Sequence, residues 1–167
     1  MKDFVLKGDI CYSRSQTELA AVKDGYLVCT DGKSGGVYKE LPEKYRELPM
    51  TDYSGKLIFP GLIDLHIHAP QFVYRGTAMD LELMPWLSQQ TFPEEARYQE
   101  KAYAEKAYAV FAEQMRKSAT ARVSMFSTVH PQATKILMEQ MEKSGLVSYV
   151  GKVNMDREAI PELQEKD

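Results

Sequence analysis

Residues 59–70 read FPGLIDLHIHAP, and this stretch decides the fold. An apolar run with a Pro-Gly turn leads into polar side chains at alternate positions, Asp64, His66 and His68. Because successive side chains of a strand point to opposite faces, these three are predicted to share one face and the intervening leucine and isoleucine the other. Neutral imidazole is a common ligand for zinc and related metals. We therefore predict a metal site formed by His66 and His68.

The alternative is a pair of chance surface histidines. The chain contains only three His, and two of them stand here. His-x-His is a short pattern, so the flanking residues have to decide between the two interpretations. Asp64 is expected to support the backbone geometry of the strand by hydrogen bonding rather than to bind metal.

The pattern from residue 57 onward alternates strands with helices. The successive elements are a strand ending at His68, a connection over 69–92, a helix over 93–118, a strand over 123–129, a helix over 132–144 and a strand over 146–153. Thr91 is the predicted cap of the first helix, and Gly145 ends the second. This order predicts parallel strand pairing with right-handed crossovers.

Each predicted helix has one apolar stripe that is expected to pack in the core. The stripe residues are Ala104, Ala107, Tyr108, Phe111 and Met115 in the first helix, and Ala133, Ile136, Leu137 and Met141 in the second. The whole pattern matches the first third of a (β/α)8 barrel, which takes about 250 residues. A small, independently folded α/β domain is the alternative.

The segment before the barrel pattern, residues 1–55, is predicted to form short antiparallel strands. A strand is expected over 3–12, and Lys23-Asp24-Gly25 is a hairpin signal between two apolar runs. Residues 31–36 are expected to form a turn or flexible loop, and the charged segment 39–50 to cross the surface. At the other end, the charged tail from Arg157 is expected to be solvated.

Composition limits the classes of protein to consider. The chain has 167 residues, 44% of them hydrophobic, which is enough for one core of ordinary domain size. A net charge of −3 without a basic stripe argues against a nucleic-acid partner. No apolar run approaches the roughly 20 residues that span a bilayer, so no membrane partner is predicted. Cys11 and Cys29 are expected to be free thiols in a reducing cytoplasm, with a disulfide as the alternative.

The run GKLIFPGLIDLHIH at 55–68 resembles the opening of the barrel in the amidohydrolase superfamily. Within that superfamily, later motifs resemble the guanine deaminases. These motifs are HAPQ at 68–71, MDL at 79–81, WL at 86–87, TFP at 91–93, FSTVH at 126–130 and GKVNMD at 151–156. The resemblance implies that 56–167 is the first three β/α units of a truncated barrel. It also implies that 1–55 is part of a small β-sandwich completed by a distant C-terminal segment.

The same resemblance implies an activity, the hydrolytic deamination of guanine to xanthine and ammonia in purine catabolism. One Zn2+ per active site would be held in part by His66 and His68, with Fe2+ as the alternative metal. The family's further ligands, two histidines and an aspartate, and its glutamate proton shuttle would all lie beyond Asp167. No catalytic residue is therefore expected in this chain, which should be inactive alone. The full-length protein is expected to be a cytoplasmic homodimer.

Three residues are candidates for contact with the purine. Gln71 resembles the family glutamine that contacts the base, and the alternative is an exposed loop residue. Trp86 is the only tryptophan and would stack on a purine, although its surroundings suit core packing equally well. His130 ends the second strand near the barrel mouth, and the alternative is a histidine that caps the following helix.

Two other functions remain open from the sequence. One is another amidohydrolase that acts on a ring C–N or C–Cl bond. The other is a non-catalytic, truncated remnant that binds a partner through an open barrel edge. Residues 119–122, Ala-Thr-Ala-Arg, depart from the Gly-Thr-Thr-like entry that the family usually has before its second strand. The departure concerns the local turn and not the chemistry.

Overall fold

The structure is a computed structural model that describes residues 2–165. The chain divides into two compact units, Met1–Pro60 and Gly61–Asp167. The predicted boundary between residues 55 and 56 falls inside a strand that ends at Ile58, and the compact units divide after that strand. The domain division into 1–55 and 56–167 stays a prediction.

The first unit is a four-stranded sheet. Its strands are β1 (Phe4–Ser13), β2 (Leu19–Thr30), β3 (Lys33–Tyr38) and β4 (Met50–Ile58), in the order β3-β2-β1-β4. Strands β1 and β2 are antiparallel, as are β2 and β3, which agrees with the prediction. Strand β4 instead runs parallel to β1, so the prediction of purely antiparallel pairing is wrong.

The predicted hairpin at Lys23-Asp24-Gly25 is also wrong, because β2 runs straight through it. Strand β2 carries the irregularity: Gly25 lies opposite Gly8 and Val22 opposite Ile10, so three steps along β2 match two steps along β1. The Asp24 N–H in this bulge donates to Asp9 Oδ1 at 3.0 Å. Asp24 adopts a positive φ of 48°, a conformation that Asp tolerates better than most residues. Turn-forming residues therefore mark a bulge here and not a reversal of the chain.

The turn predicted at 31–36 is shorter than expected. Asp31 and Gly32, both with positive φ, form the reversal, and the following residues already belong to β3. The two cysteines of this sheet are free, as predicted.

The second unit has the predicted alternation of strands and helices. Its three strands, β5 (Leu62–His68), β6 (Thr120–Phe126) and β7 (Val147–Gly151), form a parallel sheet in the order β5-β6-β7. Helix α3 (Lys101–Lys117) connects the first two strands, and α4 (Pro131–Ser144) connects the last two. Parallel pairing is therefore confirmed. The entry to β6 tolerates its unusual sequence, since Ser118 Oγ accepts the Thr120 N–H at 3.1 Å.

The core of this unit lies between the sheet and its two long helices. Every predicted stripe residue of α3 and α4 is buried, and Val123 and Met125 of β6 pack in the same cluster. Gly145 ends α4 in the left-handed conformation at φ 77°, as predicted, because a side chain would be strained there.

The prediction of one helix over 93–118 is wrong. The connection after β5 is largely helical: a 3-10 segment at Ala69–Tyr74, α1 (Leu83–Trp86), a π-helical turn at Leu87–Thr91, α2 (Phe92–Ala96) and a 3-10 turn at Arg97–Gln99. An extended residue, Glu100, then separates this run from α3. Thr91 is helical itself and makes no capping bond, because helix already precedes it.

The predicted solvated tail is only partly correct. Residues Pro161–Leu163 form a 3-10 turn that buries Leu163 completely. The Glu165 N–H donates to the Met155 carbonyl at 2.8 Å, and the Glu165 carboxylate pairs with Lys152. One apolar side chain therefore anchors an otherwise charged segment. Within residues 2–165, no helix is long and apolar enough to cross a membrane.

Candidate active site

An irregularity near the end of β5 sets the position of the two histidines. Asp64 is in register with Val123 of β6, whereas Ile67 is in register with Met125, so three steps along β5 match two steps along β6. Such a bulge re-aims the side chains that follow it. Asp64 therefore belongs with Val123 on the helix-covered face, and the prediction that it shares a face with both histidines is wrong.

The Asp64 carboxylate closes this bulge. Its Oδ1 accepts the backbone N–H of His66 at 3.1 Å. Asp64 thus supports the backbone, the role expected for it. Its carboxylate gives the His66 N–H a hydrogen-bond partner where the regular pairing of the two strands is interrupted.

His66 and His68 converge beyond the bulge. Their ring centroids are 5.2 Å apart, and the Phe126 ring lies 5.3 Å from His66 and 5.0 Å from His68. Phe126 is in register with His68 at the carboxyl end of the neighbouring strand. The three rings therefore form one cluster at the end of the sheet where barrel active sites lie.

Phe126 is a site residue that the sequence prediction missed. The signal was available, since the alternation along β6 sets Phe126 on the face opposite buried Met125. Parallel pairing with β5 then brings it beside His68. To predict this contact, one also needs the register between β5 and β6, which are separated by more than 50 residues in the chain.

The environment of His68 favours the neutral imidazole. Partial burial lowers the pKa of His68, and the neighbouring His66 ring adds to that shift because two positive charges would repel each other. A neutral imidazole is the form that binds a metal. The shift therefore agrees with a ligand role.

A cavity of about 540 Å³ opens beside the two histidines. Its wall includes His66, His68, Gln71, Tyr74, Arg75 and Trp86. The structure thus brings four of the five predicted site residues to one cavity. Trp86 is half-buried, with its ring centroid 5.9 Å from that of Tyr74. Its ring contributes to the cavity wall and to aromatic packing together.

His130 lies apart from this cavity. It is the N-cap residue of α4, as the alternative predicted: its carbonyl accepts the Thr134 N–H at 3.1 Å, although its side chain makes no capping bond. The Nε2 atom is buried and has no hydrogen-bond partner among the residues that the structure describes. Burial lowers the pKa of His130, a hydrogen bond with the Glu95 backbone opposes that shift, and the charge of Lys152 adds to it.

The donor set fits part of a zinc site. Two imidazoles at one strand end are suitable zinc ligands, but a catalytic zinc usually takes three protein ligands and a water. Within residues 2–165, His, Cys, Asp and Glu form no group of three or more that could hold a metal ion. The described residues therefore supply two donors.

Comparisons with known proteins identify the family of this chain. The model of the Amidohydrolase family matches residues 57–167. Guanine deaminase of Escherichia coli (strain K12) is 38% identical over 145 residues, which cover 84% of this chain and 33% of that protein. Guanine deaminase of Dictyostelium discoideum is 34% identical over 135 residues, covering 81% of this chain and 28% of that protein. The chain spans about a third of the length of these relatives.

A solved structure extends the similarity to the backbone. The crystal structure of guanine deaminase from C. acetobutylicum, with bound guanine in the active site, matches with a TM-score of 0.90 at 40% identity. The match covers 98% of this chain and 39% of that chain. The family model includes both histidines, Phe126 and the whole cavity wall, and the chain belongs to the amidohydrolase family.

Proposed function

We propose that this chain forms the first metal-binding and purine-binding elements of an enzyme that hydrolyses guanine to xanthine and ammonia. One observation carries the proposal: His66 and His68 converge at the end of β5 beside the cavity that Gln71 lines. The likeness to guanine deaminases, at 34–38% identity over most of the chain, supports guanine as the substrate.

The metal we propose is a single Zn2+, with Fe2+ as the alternative, held in part by His66 and His68. When bound, such a metal lowers the pKa of a water molecule to about 7 and so supplies a hydroxide-like nucleophile. Phe126 packs against both imidazoles and restricts their ring positions. The remaining ligands and the proton shuttle are proposed to come from later barrel elements of the family.

Gln71 is proposed to recognise the purine. It follows the metal strand in the 3-10 segment Ala69–Tyr74, and its carboxamide offers both a donor and an acceptor. A ring that carries a carbonyl next to an N–H matches that pair. An amide is a poor general base, so Gln71 selects the substrate and does not activate water. Trp86 is proposed to provide an aromatic wall for the base, with a contribution near 1–3 kcal/mol if the two rings stack.

The finer architecture belongs to the same proposal. We take residues 56–167 as the first three units of a (β/α)8 barrel and 1–55 as part of a small β-sandwich. The whole enzyme is proposed to be a homodimer that acts in purine catabolism. Two free cysteines suit a reducing compartment, which supports a cytoplasmic location.

A non-catalytic remnant is the second candidate function. The observation that favours it is the number of donors, since two imidazoles leave a catalytic zinc without its full ligand set. The two functions can be distinguished by supplying the remaining metal ligands. An enzyme would then deaminate guanine, and a remnant would not.

A chimera tests the proposed function. This chain replaces the matching third of the E. coli relative, so that the host supplies the rest of the barrel, and zinc content and xanthine formation are measured. We expect about one zinc per chain and measurable deamination of guanine. The isolated 167-residue chain is the control and should bind zinc weakly and release no ammonia.

A Gln71→Ala variant of the chimera separates substrate recognition from metal binding. Zinc content should stay the same. The kcat/KM for guanine should fall by an amount that corresponds to about 1–3 kcal/mol of transition-state stabilisation, because a buried ring group loses its hydrogen-bond partner. A well-folded chimera that binds zinc but never deaminates guanine would favour the remnant. Unchanged kcat/KM in the variant would leave Gln71 an ordinary loop residue.

A further inference from the structure

Two segments contribute to the cavity wall. One is the 3-10 segment Ala69–Tyr74, which carries Gln71, and the other is the helical run 83–96, which carries Trp86. The loop that joins them contains Gly76 and Ala78, both with positive φ. Since that loop has no regular structure of its own, the spacing of the two walls depends on contacts between the segments themselves.

One hydrogen bond joins the two segments at the cavity. The Tyr74 hydroxyl donates to Thr91 Oγ1 at 3.0 Å, and Thr91 is only 3% exposed. Thr91 lies in the π-helical turn Leu87–Thr91, a rare geometry that frequently occurs at functional sites. The same Tyr74 ring packs against Trp86, so a single side chain contacts the helical run at two positions, Trp86 and Thr91.

The hydroxyl stays a donor at any physiological pH. Burial raises the pKa of Tyr74 to about 12, and the nearby Glu95 and Glu94 carboxylates contribute in the same direction, while the bond to Thr91 opposes it. The Tyr74 hydroxyl therefore keeps the proton that it donates to Thr91.

We propose that Tyr74 and Thr91 are positioning residues that hold the Gln71 and Trp86 walls at the separation a purine needs. This inference rests on the proposed function for the identity of the ligand. No hydrogen bond or ring contact among the described residues joins this pair to His66 or His68. We therefore expect the pair to govern the affinity for the base and to leave the chemical step unchanged. Removing either hydroxyl frees the Trp86 wall to move.

A matched control exists in the same unit. The Tyr108 hydroxyl and Ser127 Oγ are also 3.0 Å apart and buried, but Tyr108 packs in the core and does not line the cavity. Tyr108→Phe therefore removes the same kind of bond at a comparable cost in stability. A merely structural role for Tyr74 predicts the same consequences for both substitutions.

The first experiment uses the 167-residue chain and the fluorescence of Trp86, its only tryptophan. We expect Tyr74→Phe and Thr91→Val each to increase acrylamide quenching of Trp86 by about twofold. The double variant should add nothing further, because the two residues share one bond. Tyr108→Phe should leave quenching unchanged. Equal quenching in Tyr74→Phe and the parent, or an equal increase in Tyr108→Phe, would overturn the proposal.

The second experiment measures guanine kinetics in the chimera with the E. coli relative. Tyr74→Phe is expected to raise KM by about fivefold, the worth of one hydrogen bond, with kcat and zinc content unchanged. A fall in kcat at constant KM would overturn the positioning role. If the parent chimera does not deaminate guanine, the proposed function fails, whereas the fluorescence result still decides whether the pair holds the wall.

Discussion

The two faces of the parallel sheet β5-β6-β7 differ in what covers them. On one face, Val123 and Met125 are almost completely buried under α3 and α4. On the other face, Phe126 is 38% exposed and Tyr149 of β7 is 70% exposed, and the His66 and His68 rings lie beside Phe126. Neighbouring residues of a single strand thus belong to two different environments.

The difference separates stability from chemistry. The covered face buries apolar side chains at high density and provides most of the free energy that holds this unit together. The open face has few packing contacts to lose and carries the groups suited to metal binding. Substitutions on the two faces should therefore have different consequences, one for folding and the other for the metal and the reaction.

The largest expected effect is on the open face. In the chimera, His66→Ala or His68→Ala should lower the zinc content and reduce turnover by more than about a hundredfold, because each removes a proposed metal ligand. Stability without metal should change by less than about 0.5 kcal/mol in His66→Ala, as at most exposed sites, and by more in His68→Ala, whose ring is partly buried against Phe126. Zinc analysis, turnover and urea unfolding measure the three quantities.

His130→Ala is the control for these variants. It removes the third histidine, which lies away from the cavity, and should leave the zinc content unchanged. Normal zinc and turnover in either of the first two variants would contradict the metal assignment. Loss of zinc in His130→Ala would bring that residue into the metal site after all.

The next largest effect is on the covered face. Leu137 of α4 is fully buried, so Leu137→Ala should lower the free energy of unfolding by about 2–5 kcal/mol through lost burial and a cavity. Its neighbour Met138 is 46% exposed, and Met138→Ala should cost less than about 0.5 kcal/mol. Urea titration of both variants makes the comparison. Similar losses at the two positions would show that α4 does not pack as described.

A third effect depends on pH and comes from Glu95 of α2. The residue is 5% exposed, and burial raises its pKa from 4.5 to about 7. Between these pH values the folded chain holds a proton that the unfolded chain has released. Stability should therefore fall by roughly 3 kcal/mol as pH rises through this window and stay level above it.

Glu95→Gln tests that slope, because the amide has a similar shape and cannot ionise. The variant should lose the decrease between pH 4.5 and 7 and be more stable than the parent at pH 8. Glu105→Gln, on the exposed side of α3, is the matched control and should keep the slope of the parent. An identical pH profile for the parent and Glu95→Gln would contradict the buried carboxyl.

Periodicity predicted the covered face well. Helical spacing alone identified the stripes of α3 and α4, because burial of one face imposes a regular pattern on the sequence. The helix end at Gly145 was equally predictable, since few other residues tolerate its backbone conformation.

The sequence was less informative where contacts distant in the chain decide the structure. Asp24-Gly25 has the composition of a hairpin, yet β2 pairs with β1 on both sides of it, so these residues form a bulge within one strand. The bulge after Asp64 depends on the register with β6, and the approach of Phe126 to the histidines depends on the same pairing. The family resemblance pointed to His66, His68 and Gln71, but local patterns carry no information about register between separate strands.

The smallest expected effect concerns the residue at which the two faces meet. Asp64 aligns with buried Val123, yet its carboxylate holds the N–H of His66, the first residue of the open-face cluster. Asp64→Ala removes this acceptor and should lower the free energy of unfolding by about 1 kcal/mol. It should also weaken zinc binding by the chimera several-fold, because the bulge no longer fixes the direction of His66. Asp64→Asn retains an oxygen acceptor in the same place, so it should preserve both properties.

Urea unfolding and competition with a zinc chelator measure the two effects. If Asp64→Ala cost stability but left zinc affinity unchanged, the bulge would belong to the covered face alone, and the histidines would be positioned by Phe126 and the strand.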